Sequence, residues 1–389
     1  MSQWGNSMKR KCLAVVIILL FTRTCTVPAI AHDMEKTSQS TSSGNWLYVG
    51  GGGSGNYTKI QDAIDNAVDG DFIYVFAGIY YENILIHKSL HLIGENAEIT
   101  IIDGCELDQV VIITADLVTI ERFTIRNNGI NHPSGYIAGI WVDSNHITIS
   151  NNIIVDNYGA GIFFTQVSDI TICKNNISES DNGIWIYDSI NNNITNNDIH
   201  NNYYGIRLGG SSNQIIANTI HHNYEYGISL VSGVQNNVQY NTIFSNDDVG
   251  IFLYGSNQNI IQSNTIAYNR NISISLVSSN SNVISENSIQ GNDQGIKINL
   301  GHNNQIRRNN FIENQVHADF SLYAPCRFLK ILVKNNWMNN YWDDHHTRLP
   351  RLISGELSYS PDPSTPWYHV SIKWIAIDWR PAKEPYDTQ

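Results

Sequence analysis

One row of residues, recurring at a fixed interval, has the types needed to hold a sugar. A quartet Gly-Ile-x-apolar starts at Gly139, Gly161, Gly183, Gly205, Gly227 and Gly250, lapses to Ser273-Ile274-Ser275-Leu276, and returns at Gly295. Position x reads Trp141, Phe163, Trp185, Arg207, Ser229, Phe252, Ser275 and Lys297, and an adjoining row holds Asp143, Tyr187 and Tyr254. Aromatic rings offer flat apolar faces to sugar rings, while acids, amides and a guanidinium bond the hydroxyls. Trp141, Asp143, Phe163, Trp185, Tyr187 and Arg207 are therefore the candidate ligand-binding set. The other reading is packing, either beneath a long turn such as 127–138 or between stacked rings.

Two further groups carry metal-ligand types. His200 and His221 recur one interval apart, with His222 beside them, and Asp343, Asp344, His345 and His346 are consecutive. Imidazole and carboxylate donors suit a divalent cation, calcium or copper, and a structural or surface role for these histidines is the alternative. Copper(I) prefers sulfur, which is sparse here: past residue 31 there remain only Met34, Met338, Cys105, Cys173 and Cys326. Three scattered cysteines outline no disulfide framework, and core filling is the role expected of them. Asp247-Asp248 is a second pair of acids, read as a solvated turn. No residue is assigned a catalytic role.

What must position these residues is a repeat. The quartets step by 22 or 23 residues, each followed by an Asn two places before an Ile or Phe (Asn151, Asn175, Asn197, Asn218, Asn241, Asn264, Asn287, Asn309) and by another Asn row at Asn202, Asn223, Asn246, Asn269, Asn292 and Asn314. The apolar runs are too short for helices and rich in β-branched residues. A unit this small cannot bury its own apolar face; stacked at a strand spacing of about 4.8 Å, each unit covers the next. The spacing predicts an all-β fold, a right-handed single-stranded parallel β-helix. The 56 Ile and 49 Asn then have places: Ile in inward columns, Asn at the bends, where it tolerates left-handed backbone and forms amide ladders.

The ends read differently. Lys9, Arg10 and Lys11, the apolar run Cys12 to Phe21 and Ala29-Ile30-Ala31 predict a secretory signal peptide over 1–31, cleaved after Ala31. The run is too short to span a membrane comfortably, and no other segment is apolar enough, so no membrane span is expected after cleavage. Cleavage removes Lys9, Arg10, Lys11 and Arg23 and no acid, taking the formal charge from −12 to −16. Such a chain lacks the basic face of a nucleic-acid binder, and its charge disfavours anionic partners generally. Residues 32–56 read as a polar leader and 57–335 as the β-helix, with a capping helix near 57–68 and regular coils over 139–320. Asn disappears after Asn340, and Trp337, Tyr341, Trp342, Trp367, Trp374 and Trp379 with scattered prolines mark 336–389 as a C-terminal cap.

From Tyr57 to Gly104, "YTKIQDAIDNAVDGDFIYVFAGIYYENILIHKSLHLIGENAEITIIDG" resembles the opening of NosD-like secreted β-helix proteins of the archaeal type, as do "ADLVTIERFTIRN", the Gly-Ile and Asn-x-Ile coils, "NNYWDD" and "IDWRPAKEPYD". The resemblance implies a fold of the carbohydrate-binding and sugar-hydrolase β-helix superfamily, and the family's name implies a periplasmic copper-associated accessory role. Polygalacturonase and alginate-epimerase motifs are absent; Tyr204-Gly205-Ile206 continues as Arg207-Leu208-Gly209. The function expected is a secreted or cell-surface protein that binds a polysaccharide or surface glycan, or serves an envelope structure, without catalysis. A polysaccharide lyase or hydrolase with an unfamiliar site, and a copper-handling accessory, are the alternatives. The oligomeric state is open.

Overall fold

In the computed structural model each regular coil is three short strands joined by three bends. The structure describes residues 44–130, 136–324, 334–347, 349–359 and 370–387; the signal peptide, its cleavage site, most of the leader, Met34, Cys326 and Trp367 lie outside them. One coil runs Tyr204–Ser211, Gln214–Ile216 and Thr219–His221 before the next begins at Tyr226–Val231. Strands pair in parallel with their equivalents one coil on, as in Ile206↔Ile228, Ile215↔Val238 and Ile220↔Ile243. The third strands form a 12-stranded parallel sheet of their own. Inward residues make aliphatic columns with no solvent exposure, among them Ile206-Ile228-Ile251-Ile274-Ile296 and Ile220-Ile243-Ile266-Ile289.

The bends differ from the sequence expectation in a way that explains the asparagines. Left-handed backbone falls on the residue before the ladder Asn, whatever its type: Ala217, Tyr240, Ser263 and Glu286 all have φ near +55 to +60°. Such a conformation costs an L-residue about 1–2 kcal/mol. The buried Asn that follows offsets it. Asn218 accepts from the N–H and Nδ2 of Asn197, and donates to Ile194 O and to Asn241 Oδ1, at 2.9–3.0 Å. Each such bond contributes about 1 kcal/mol net. The first rung is Asn152, while Asn151 occupies the exposed left-handed bend. A further ladder, unforeseen in the sequence, runs Asn192-Asn213-Asn236-Asn259-Asn282-Asn304-Asn335.

The quartet glycines serve close approach. A Cβ on Gly205 would stand 2.5 Å from Gly227 O and 2.9 Å from Ile220 Cγ2. Where the quartet lapses, Ser273 is fully buried and its Oγ has no partner.

The ends extend beyond the expected limits. Trp46–Val49, inside the expected leader, already pairs in parallel with Phe72–Val75. The helix spans Ile60–Asn66, burying Ile60, Ala63 and Ile64, and the Glu82 carboxylate accepts the Ile60 and Gln61 N–H groups at its start. At the other end the coils continue through Asn336–Met338 and Tyr341–Trp342, so Trp337 and Trp342 are core residues. The strand Arg351–Tyr359 then adds in parallel to Val316–Ala324, and Val370–Asp378 returns antiparallel to it. Among the described residues no helix is long and apolar enough to cross a membrane. Cys105 sits exposed in a turn rather than in the core, and Cys173 is half-buried.

Candidate functional site

The parallel register brings the outward row together: Trp141↔Phe163↔Trp185↔Arg207↔Ser229. It is a stack more than a platform. Trp141 and Phe163 lie 4.7 Å apart and tilted by 54°, Phe163 and Trp185 5.1 Å apart and edge-on. Tyr136 lies parallel on Phe163 at 5.2 Å and meets Trp185 edge-on. Phe163 is consequently 2% exposed, which corrects the expectation of an open ring there: packing beneath Tyr136 accounts for it. Arg207 covers Trp185 from the following coil, with Cζ 5.0 Å from the ring centre, and lies 5.7 Å from Tyr204.

An open groove of about 530 Å³ adjoins this stack, lined by Tyr136, Trp185, Tyr187, Asp188, Arg207 and the Gly209-Gly210 pair. Gly210 has φ +148°, and a Cβ there would strike Ser189 O at 2.2 Å, while a Cβ on Gly209 would stand 3.8 Å from Tyr187 Cδ2; glycine at 209 leaves space beside the Tyr187 ring. Tyr187 is 58% exposed and is the ring whose face is open. Among the described residues Arg207 is paired with no carboxylate. Asp143 is exposed on an adjoining row but does not line the groove.

A second open region, missed in the sequence, follows the bend after the third strands. Asp156, Glu179, Asp181, Tyr158, Tyr203 and Tyr224 line about 760 Å³. Asp156 and Glu179 occupy equivalent left-handed bends on successive coils. A hydrogen bond to Asp156 and then its charge raise the Glu179 carboxyl above its ordinary value. Close by, burial and then Glu225 push the Tyr204 hydroxyl up to about 12, and Tyr226 is raised by burial and by a hydrogen bond to Glu225.

The metal candidates rearrange. Asp343 and Asp344 converge on His317, a residue unmarked in the sequence: His317 Nε2 lies 2.7 Å from Asp343 Oδ1 and 3.4 Å from Asp344 Oδ1. These donor atoms lie within 4.8 Å of one another, a spacing a metal ion could use. The other ring nitrogen argues against it. A metal-bound His normally donates its second N–H to an acceptor, but His317 Nδ1 faces the Asn314 Nδ2 donor at 3.4 Å. Asn314 cannot flip, because its Oδ1 takes the Asn292 N–H and Nδ2 at 3.0 Å. Nδ1 is thus the acceptor and Nε2 carries the proton, which it gives to the carboxylates. Arg351 completes the group, 2.9 Å from Asp344. His317 ends the Asn202–Asn314 ladder, and the donor set does not fit a His-ligated metal.

His345 turns away, its Nε2 2.8 Å from Leu349 O, and His346 is exposed. His200 and His221 stack at 5.0 Å, with Phe244 on the other side of His221. Their Nε2 atoms are engaged by Asn176 and Asp198, and His221 Nδ1 meets His222 Nδ1 at 2.7 Å. Burial pushes His200 down against the opposing charge of Asp198. Both ring nitrogens of His221, the Nε2 of His200 and the Nδ1 of His222 are thus engaged in hydrogen bonds.

Residues 160–311 match the family model for the right handed beta helix region. No curated protein matches the chain. Among solved structures the chain is similar to the A-module of the Azotobacter vinelandii mannuronan C-5 epimerase AlgE6, at 14% identity and TM-score 0.58 over 72% of this chain and 87% of that one. It is similar to XylC in complex with xylose, at 12% identity and TM-score 0.58 over 79% and 87%. PfbA, a surface adhesin of Streptococcus pneumoniae, matches at 14% identity and TM-score 0.51 over 77% and 84%. Identities this low speak to architecture, and there they agree with the coil register and ladders: the chain is a right-handed parallel β-helix.

Proposed function

We propose that this is a secreted or cell-surface β-helix that binds carbohydrate, without catalysis, through the groove between Tyr187 and Arg207. The observation that carries the reading is the lining of that groove: an open aromatic face at Tyr187, an unpaired guanidinium at Arg207 and a carboxylate at Asp188 around a glycine floor. Stacking and hydroxyl bonding are both supplied within one cavity, the mixture small polar ligands require. The similar structures include an epimerase of mannuronan, a complex with xylose and a surface adhesin, which is in keeping with a glycan partner. Tyr187→Ala should reduce retention on the best ligand of a glycan array about tenfold, a loss of about 1.4 kcal/mol. Trp185→Ala should reduce it further, by removing the support beneath Arg207. Unchanged retention of both variants on every glycan would refute the reading.

A second reading, a polysaccharide hydrolase or lyase, is favoured by one observation: the hydrogen-bonded Asp156–Glu179 pair, with the Glu179 carboxyl raised, beside Tyr203 and Tyr224. Paired carboxylates, one kept protonated, are the equipment of glycoside cleavage. Release of reducing sugar or unsaturated product, lost in Glu179→Gln, would establish it over binding alone.

A further inference from the structure

Arg207 is held in an unusual state for a cation on so acidic a chain. Its guanidinium is half-buried between Trp185 and Tyr204, and no side-chain carboxylate pairs with it among the described residues. The contrast is with Arg126, the other half-buried guanidinium of the coil stack, which lies 2.9 Å from Asp103; Arg122, Arg270 and Arg307, without a carboxylate among the described residues, are exposed to water instead. The two rings fix the guanidinium plane and leave its fork of N–H donors beside a groove with room for a sugar ring. A preorganised fork of this kind matches a carboxylate or sulfate in bidentate geometry.

We infer that the groove selects a negatively charged sugar, whose carboxylate or sulfate group is received by Arg207 while its ring lies against Tyr187. The inference rests on the carbohydrate-binding reading and narrows it. Asp188, in the same groove, accepts sugar hydroxyls and disfavours a second anionic group on its side. The overall negative charge does not cancel this local preference, because fields of exposed charges fade beyond about 8–10 Å at physiological salt. The groove accordingly reads one anionic unit; it has no basic track for a polyanion.

The test uses the full secreted chain and three probes of equal length, each a neutral galactan oligomer: one ending in a single galacturonate, its methyl ester, and one carrying a single sulfate. Titration calorimetry should show the galacturonate-tipped or the monosulfated oligomer bound about tenfold or more tightly than the ester. Whichever of the two binds identifies carboxylate or sulfate as the group received. Arg207→Met should bring that affinity down to the ester's, and Arg207→Lys should restore part of the difference, with the melting temperature of each variant checked against wild type. Equal binding of acid, sulfate and ester overturns charge selection and leaves carbohydrate binding standing. So does a preference that survives Arg207→Met in a folded protein. Failure of these probes and of a broad glycan array to bind would overturn both.

Discussion

The groove at Arg207 and the cluster at His317 look alike by residue type, each with charged groups beside Trp and Tyr or Phe rings, yet they do different work. At His317 every polar group is consumed: Nδ1 ends an Asn ladder, Nε2 reaches two carboxylates, Asp343 Oδ2 takes the Glu313 N–H at 2.6 Å, and Arg351 neutralises Asp344. At Arg207 the charge is held by rings alone. The difference teaches that a cluster of ligand-type residues can be structural to its last hydrogen bond, while a half-buried cation held by rings keeps its donors free for the ligand proposed here.

That contrast can be broken most severely at the other ladder end. The Asn152–Asn340 ladder finishes on Asp378, a fully buried carboxylate that accepts from Asn339 N, Asn340 N and Nδ2, Trp342 Nε1 and Arg380 N. Asp378→Ala strands these donors, and we expect a loss of about 3 kcal/mol or more in urea unfolding, with glycan retention unchanged in the protein that remains folded. A loss below about 1 kcal/mol would mean the ladder needs no terminal acceptor. His317→Ala should cost less, about 2 kcal/mol, and should leave binding intact; a rise in wild-type melting temperature on adding zinc, abolished by this substitution, would return the cluster to the metal-site class.

Acid sharpens the comparison in a third place. Burial would raise the Asp103 carboxyl, but hydrogen bonds from Asn127, the Cys105 N–H and Arg126, with the Arg126 charge, hold it below the usual carboxylate range. Its folded pKa is depressed, so its contribution is complete above the ordinary carboxylate pKa and disappears as pH falls through the lowered one. Asp103→Asn should flatten that acid limb of an unfolding-versus-pH curve. The smallest effect belongs to Ser273: removing its unpartnered hydroxyl and crowded Cβ by Ser273→Gly should stabilise the protein by at most about 1 kcal/mol, less whatever glycine loses in backbone entropy.

Much of the architecture was legible because a stacked coil must repeat. Ile at two-residue alternation, Gly at each close approach and Asn at each bend recur at the coil length, so periodicity alone places them. The Asn192–Asn335 ladder carries the same spacing, an Asn two residues before Ile or Val at Asn192, Asn213, Asn236, Asn259 and Asn282, but adjacent asparagines such as Asn191, Asn193 and Asn237 hide the row. The left-handed bends escaped because they fall on any residue type and so leave no compositional trace. Trp337 and Trp342 read as cap residues by composition, whereas register puts them under the last coils.

Sequence by itself determined the fold and the outward row, since both follow from a local rule applied at a constant interval. Only the tertiary structure decided what that row and the ligand-type clusters could do. Tyr136 comes to cover Phe163, His317 meets acids 26 and 27 residues away, Asp156 meets Glu179 one coil on, and Arg207 finds no carboxylate among the described residues. Each is a matter of which side chain reaches which atom across the stack. A repeat fixes how coils lie on one another, while the chemistry depends on the residues that depart from it.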